Sequence, residues 1–75
     1  MSTQIFELEA EFIELNQLLK LSGLCASGAA GKHLVASGQV FVDGKLELRK
    51  TAKIRAGQLV QFEKSQISVQ NQTAD

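Results

Sequence analysis

Gln39-Val40-Phe41-Val42-Asp43-Gly44-Lys45-Leu46-Glu47-Leu48 holds two strand-forming runs separated by Asp-Gly, a pair that adopts the left-handed backbone of a tight hairpin turn. The segment therefore reads as a β-hairpin with strands over 39–42 and 45–48. Two registers are open. A two-residue loop, Asp43-Gly44, pairs Val42 with Lys45 and Val40 with Glu47, which sets valines and charges on one face. A three-residue loop, Val42-Asp43-Gly44 with Gly44 as the left-handed bulge residue, pairs Val40 with Leu46 and brings Leu48 to their face. Burial of apolar side chains favours the three-residue loop. Phe41 then lies on the opposite face, next to Lys45 across the ladder. There it can stack on an unpaired base or, more plainly, pack against a neighbouring loop.

Upstream of the hairpin, Ser27 reads as an N-cap and Gly38 as a C-terminal stop, so the second of two helices runs from about Ser27 to Ser37. Ala30, Leu34 and Val35 form its apolar stripe, with Leu34 and Val35 buried and Lys32 exposed. Ala29, Ala30 and Gly31 are small enough for close packing on a first helix. That helix takes Asn16 as its N-cap, carries Leu15, Leu18, Leu19 and Ser22 at helical steps, and stops at Gly23. Gln4 to Leu8 alternates, and Phe12, Ile13 and Leu15 supply a second extended stretch. Downstream, Arg49 to Arg55 reads as a basic, aperiodic connection. Ala56-Gly57 then turns into a strand over Leu59 to Phe62, and a polar turn over Glu63 to Gln66 precedes a short strand at Ile67 to Val69.

A chain of 75 residues has material for one core, and 44% hydrophobic with 21% charged residues is globular composition rather than that of a disordered segment. The single cysteine, Cys25, excludes an internal disulfide and a multi-cysteine zinc site, which suits a reducing cytoplasm. No apolar run reaches the roughly 18 residues of a membrane span, and residues 1–11 carry acids where a secretory leader is basic and apolar. Neither secretion nor membrane insertion is expected.

Eight basic and eight acidic residues cancel, but their positions do not. Residues 1–19 contain Glu7, Glu9, Glu11 and Glu14 and no Lys or Arg, whereas all eight cations fall within 20–64 against Asp43, Glu47 and Glu63. A polyanion responds to that local excess more than to the total.

Leu15-Asn16-Gln17-Leu18-Leu19-Lys20, then Gly23-Leu24, Ser27, Ala30, Gly38, Val40 and Val42-Asp43-Gly44, then Ala56-Gly57, resembles the RNA-binding domain named after small-subunit ribosomal protein four, also called the alpha-L motif. The similarity spans 15–62, and Ser27-Gly28-Ala29 looks most like a short stand-alone subfamily. The resemblance implies an α+β fold, two short helices packed on a small, mainly antiparallel sheet, with RNA held by the second helix and the adjoining hairpin loop. The length and pattern of the chain give one domain over 1–75, with 1–14 as an N-terminal strand region and the polar 70–75 as a frayed tail. Carried over by position, its RNA-binding residues are Ser27, Lys32, His33, Lys45, Arg49, Lys50, Lys53 and Arg55. One departure stands out: many members carry Arg after the capping serine, where this chain has Gly28.

The residues bear on the same chemistry. Lys32 and His33 project from a helix whose N-terminus offers free N–H groups to a phosphate, although Ser27 as a simple cap and Lys32 as a solvated lysine is the plainer reading. Arg49, Lys50, Lys53 and Arg55 place four cations in seven residues, suited to phosphate and 2′-hydroxyl contacts, or else to an acidic protein. Lys20 complements the dipole at the end of the first helix. His33 has only Cys25 and Ser27 as nearby nucleophiles and no acidic partner at a recognisable spacing, so catalysis is not expected. The first expectation is noncatalytic binding of structured RNA, such as ribosomal RNA or a ribosome-assembly intermediate, by a cytoplasmic monomer with no cofactor, metal or membrane. The second is a protein-interaction module using the acidic edge and the basic loop.

Overall fold

The computed structural model describes residues 2–71. In chain order these form β1 (Ser2–Leu8), β2 (Ile13–Glu14), α1 (Leu15–Leu21), α2 (Gly28–Ala36), β3 (Val40–Val42), β4 (Lys45–Leu46), β5 (Lys53–Ile54), β6 (Leu59–Phe62) and β7 (Ser65–Asn71). Five strands make a mixed sheet in the order β1-β7-β6-β3-β4, parallel between β1 and β7 and antiparallel elsewhere; β2 and β5 form a separate antiparallel pair. Val40, Val42, Val60, Ile67 and Val69 join Leu15, Leu18, Leu19 and Val35 of the helices in one buried cluster. The α+β architecture expected from the resemblance is present.

The hairpin corrects the three-residue loop. Phe41 faces Leu46 and Val42 faces Lys45 across a two-residue Asp43-Gly44 turn. Both turn residues have positive φ, 52° and 81°, as a type I′ turn requires. The turn is also fastened sideways: Asp43 N–H donates to the Leu59 carbonyl at 2.8 Å, and the Asp43 carboxylate accepts from Leu59 N–H at 2.9 Å. Apolar burial does not set this register because β4 is the sheet edge and adds nothing to the core. Leu46 and Leu48 remain 50% and 56% exposed, and β3 is held from its other side by β6.

Asn16 is not the cap of α1. Glu14 occupies that position without a side-chain cap, and Leu15, which the pattern offers both to the extended stretch and to the helix, is the first helical residue. The free donors of the first turn are met by the basic loop instead: Leu15 N–H reaches the Ala52 carbonyl at 2.9 Å and Asn16 N–H the Lys50 carbonyl at 3.2 Å. The β2–β5 pairing, Ile13 with Ile54 and Glu14 with Lys53, places the loop there, so the Arg49 to Arg55 connection contains a strand. At the other end of α1, Leu24 N–H bonds the Leu19 carbonyl and Gly23 N–H that of Lys20, a Schellman closure with Gly23 at φ 81°.

The second helix follows its expectation closely. The Ser27 hydroxyl accepts from Ala30 N–H at 3.0 Å, Ser37 is the C-cap, and Lys32 is exposed. Val35 is buried, but Leu34 and Ala30 are only half-buried because the contact face centres on Gly31. A Cβ at Gly31 would stand 2.5 Å from the Asn16 carbonyl oxygen, so only glycine permits this helix crossing. At the C-terminal end the polar turn shrinks to Glu63 and Lys64, and β7 runs on through Gln70 and Asn71, which pair with Glu7 and Leu8 rather than fraying. The rest of the expected tail, 72–75, lies outside the described residues. No helix among the described residues is long and apolar enough to cross a membrane.

Replacing Gly31 with Ala should lower stability. Overpacking against backbone costs about 1–3 kcal/mol, offset by a helix-propensity gain of about 1 kcal/mol. A thermal melt followed by circular dichroism should fall several degrees, at about 4–8 °C per kcal/mol for a domain this size. Gly28→Ala should change the melt less, since its Cβ meets the flexible end of Gln17 at 2.9 Å and the Asn16 side-chain amide at 3.4 Å rather than backbone. A Gly31→Ala midpoint equal to or above that of the parent would contradict the close approach.

Candidate nucleic-acid interface

The geometry of the basic side chains starts from Phe12, just before β2. Lys53 and Arg55 flank Ile54 and so share one face of the strand, while Ile54 is buried on the other. The Lys53 ammonium sits 5.0 Å from the centre of the Phe12 ring and the Arg55 guanidinium carbon 5.6 Å. Each lies within cation–π range, worth about 0.5–1 kcal/mol at an exposed site. The ring thus gathers two cations that would otherwise swing freely, and both remain exposed. Arg55 is further fixed by its backbone N–H, which donates to the Gln58 side-chain oxygen at 2.7 Å.

Arg49 is differently placed. Its guanidinium donates twice to the Glu47 carboxylate, both at 3.0 Å, and its backbone N–H donates to the same group at 2.9 Å. The run from 49 to 55 has no internal acid, but Glu47 just outside it neutralises its first member. The hydrogen bond from the Arg49 side chain, helped by the backbone bond and the nearby positive charge, holds the Glu47 carboxyl below the ordinary carboxylate range despite partial burial. The same pairing raises the Arg49 pKa. Arg49, Thr51, Ala52 and Lys53 border one open polar depression of about 480 Å³, and Lys50 is exposed between them.

The second helix meets this loop through α1. The Asn16 backbone N–H takes the Lys50 carbonyl, and its side-chain amide donates to the Gly28 carbonyl at 3.4 Å in the first turn of α2. One buried residue therefore ties the basic loop to the helix N-terminus that Ser27 caps. Lys32 follows in mid-helix, exposed. His33 falls in the last turn, where a cation complements the carbonyl end of the dipole and not the anion-attracting end. Lys45 is exposed on β4, at the edge of the sheet. Phe41, 39% exposed, faces Leu46 and Gln61 rather than Lys45 and borders a depression with Gly38, Gln39 and Glu63. Lys53 and Arg55 are thus brought together, Arg49 and Lys50 adjoin them, and Lys45 and Phe41 belong to the hairpin. Among the described residues no group of three or more His, Cys, Asp or Glu is arranged to hold a metal ion.

Sequence reasoning missed the positioning roles of Phe12, Asn16 and Glu47. Phe12 lies some forty positions from the cations it gathers, and no local pattern links them. Asn16 has the composition of a cap, which hid its part in joining helix to loop. Glu47 was legible: a carboxylate two residues before an arginine, at the end of a strand, is within reach of it.

The S4 domain family model matches residues 6–70. The YbcJ proteins of Escherichia coli (strain K12) and Shigella flexneri are each 56% identical to this chain over 50 residues, 67% of this chain and 71% of theirs. The solution structure of YbcJ from E. coli, described as revealing an alfaL motif involved in RNA-binding, matches with a TM-score of 0.66 and 44% identity, covering 93% of this chain and 87% of that one.

The Arg49–Glu47 pair makes a pH prediction. The lowered Glu47 pKa means that its contribution to stability is present above the ordinary carboxylate range and is lost as pH falls through the lowered value. Carbon-detected NMR titration of the Glu47 carboxyl should give a midpoint below that of an unpaired glutamate, returning to ordinary in Arg49→Gln. An identical midpoint in parent and variant would show that the pair does not hold in solution.

Proposed function

This chain belongs to the S4 domain family, and we propose from that premise that it binds structured RNA without catalysing a reaction. The observation that carries the reading is the pair of cations, Lys53 and Arg55, that Phe12 holds on one exposed face beside a loop whose carbonyls cap α1. Phosphate recognition needs fixed positive charge more than chemistry, and RNA duplexes and junctions are read largely through phosphates and 2′-hydroxyls. Lys50 and Lys32 extend the surface from the loop and from α2. Ser27 and the first turn of α2 offer N–H groups to one further phosphate, with His33 and Lys45 at the margins and Phe41 as a stacking platform on the hairpin face. Arg49 contributes less than its charge suggests, because Glu47 already occupies its fork. The solved relative's alfaL motif, described as involved in RNA-binding, supports the same reading. Ribosomal RNA or a ribosome-assembly intermediate is the target we favour, in the cytoplasm, with the protein acting as a monomer.

Gly28 sets the strength of the site. In place of the arginine expected from the family pattern it leaves the first turn of α2 without a guanidinium, and its Cβ position is bordered only by side-chain amides of Gln17 and Asn16.

Titration with ribosomal RNA fragments across salt should give an affinity that falls with a log–log slope of roughly −3 to −4 for about four neutralised phosphates. Lys53→Gln with Arg55→Gln should reduce the slope by about two and the affinity by about tenfold or more, with the fold intact. Glutamine is the better replacement, since Glu14 faces Lys53 across the ladder and a glutamate there would add repulsion to the fold. Gly28→Arg should steepen the slope by about one unit. Salt-independent binding, or binding unchanged in the double variant, would remove the loop from the site.

A further inference from the structure

Beside the basic face lies a second surface of opposite character. Phe6, Leu8, Ala10, Phe12, Ile13 and Leu21 line an open, mainly apolar groove of about 370 Å³, with Glu7 and Glu9 on its walls. Leu21 is 60% exposed there, a large apolar side chain left in solvent at the end of α1. The groove continues from β1, which is seven residues long, pairs only with β7, and carries no strand on its other edge among the described residues. That edge holds no lysine and no proline, the usual devices that keep an edge strand from pairing with another chain. Ile5, in its middle, is 64% exposed.

We propose that β1 and this groove dock an extended, basic protein segment that adds a strand to the sheet edge and seats an apolar side chain against Leu21. Charge complementarity selects the occupant. Residues 2–19 carry four glutamates and no cation, so the field over the edge is negative from Glu7 through Glu11, with Lys53 and Arg55 set at the Phe12 end of the groove. RNA is repelled from it. A second copy of this chain, edge to edge, would bring two sets of Glu7, Glu9 and Glu11 together, whereas a lysine- or arginine-bearing strand would neutralise them. Backbone pairing along β1 supplies affinity and the apolar groove supplies selectivity, the division of labour found in strand addition generally. Phe12 marks the boundary, since it lines the groove and also meets Lys53 and Arg55. The two surfaces are therefore neighbours, and one chain can hold a nucleic acid and a basic protein segment side by side.

The test uses the full chain, labelled with nitrogen-15, and a short synthetic peptide alternating lysine with valine. The peptide should shift the amide signals of Gln4 to Ala10 and Leu21. The same peptide with serine for valine should bind about tenfold more weakly or worse, as should the lysine–valine peptide to Glu9→Lys or Leu21→Ser. Glu9 and Leu21 are exposed, so both variants should fold, and Leu21→Ser should leave RNA affinity unchanged, which separates this proposal from RNA binding. Equal affinity for the serine peptide would reduce the effect to diffuse charge attraction and overturn the proposal. So would peptide shifts confined to other surfaces, shifts at Gln4 to Ala10 and Leu21 caused by RNA, or sedimentation equilibrium showing a dimer of the chain that Leu21→Ser dissociates.

Discussion

The helices cross where the Asn16 carbonyl oxygen fills the place a side chain at residue 31 would take. That approach lets the first turn of α1 serve two neighbours at once. Its backbone donors are closed by carbonyls of the basic loop, and the Asn16 side chain reaches the first turn of α2. Without the glycine, α2 would stand off, the Asn16 contact would lengthen, and the loop would lose its fixed relation to the Ser27-capped helix. The loop needs such support because its strand, β5, is only two residues long and, among the described residues, pairs only with β2. A chain of this size has little core to spare for holding a loop in place.

The zero net charge conceals two fields. Four of the acidic residues occupy the sheet edge and the segment after it, and six of the eight cations occupy the loop, the hairpin and α2, with Lys20 in α1 and Lys64 before β7. Phe12 stands between them, facing Lys53 of β5 and Arg55 just after it on the loop side and the apolar groove on the other. Separation of sign over so small a body orients an approaching polyanion and keeps it off the acidic edge. The Glu47–Arg49 pair refines this pattern by withdrawing one guanidinium from the basic face and fixing the backbone where the hairpin passes into the loop.

Much of the fold was legible in the residues, and the misses share a cause. Ser27 with Gly38 marked the second helix, Asp43-Gly44 marked the hairpin, and the alternation over Leu59 to Phe62 marked a central strand, each by local chemistry. The hairpin register departs from the apolar pattern because Leu46 and Leu48 lie at an edge with no core to face. Asn16 has the local signature of a cap, an amide before a leucine run, but only the tertiary fold brings the Lys50 and Ala52 carbonyls to accept from the first N–H groups of α1. The basic run was visible as charge, but its internal order was not. Which cations stand together depends on a ring far along the chain and on a carboxylate just outside the run.

If Asn16 joins the loop and α2 into a single RNA-binding face, the most direct test maps that face residue by residue. Amide chemical shifts of the labelled protein, followed as a duplex-containing ribosomal RNA fragment is added, should move together at 27–33 and 49–55 with a single binding constant, while Phe6 to Ala10 stay still. Shifts restricted to one of those segments, or separate binding constants for the two, would contradict a joined surface.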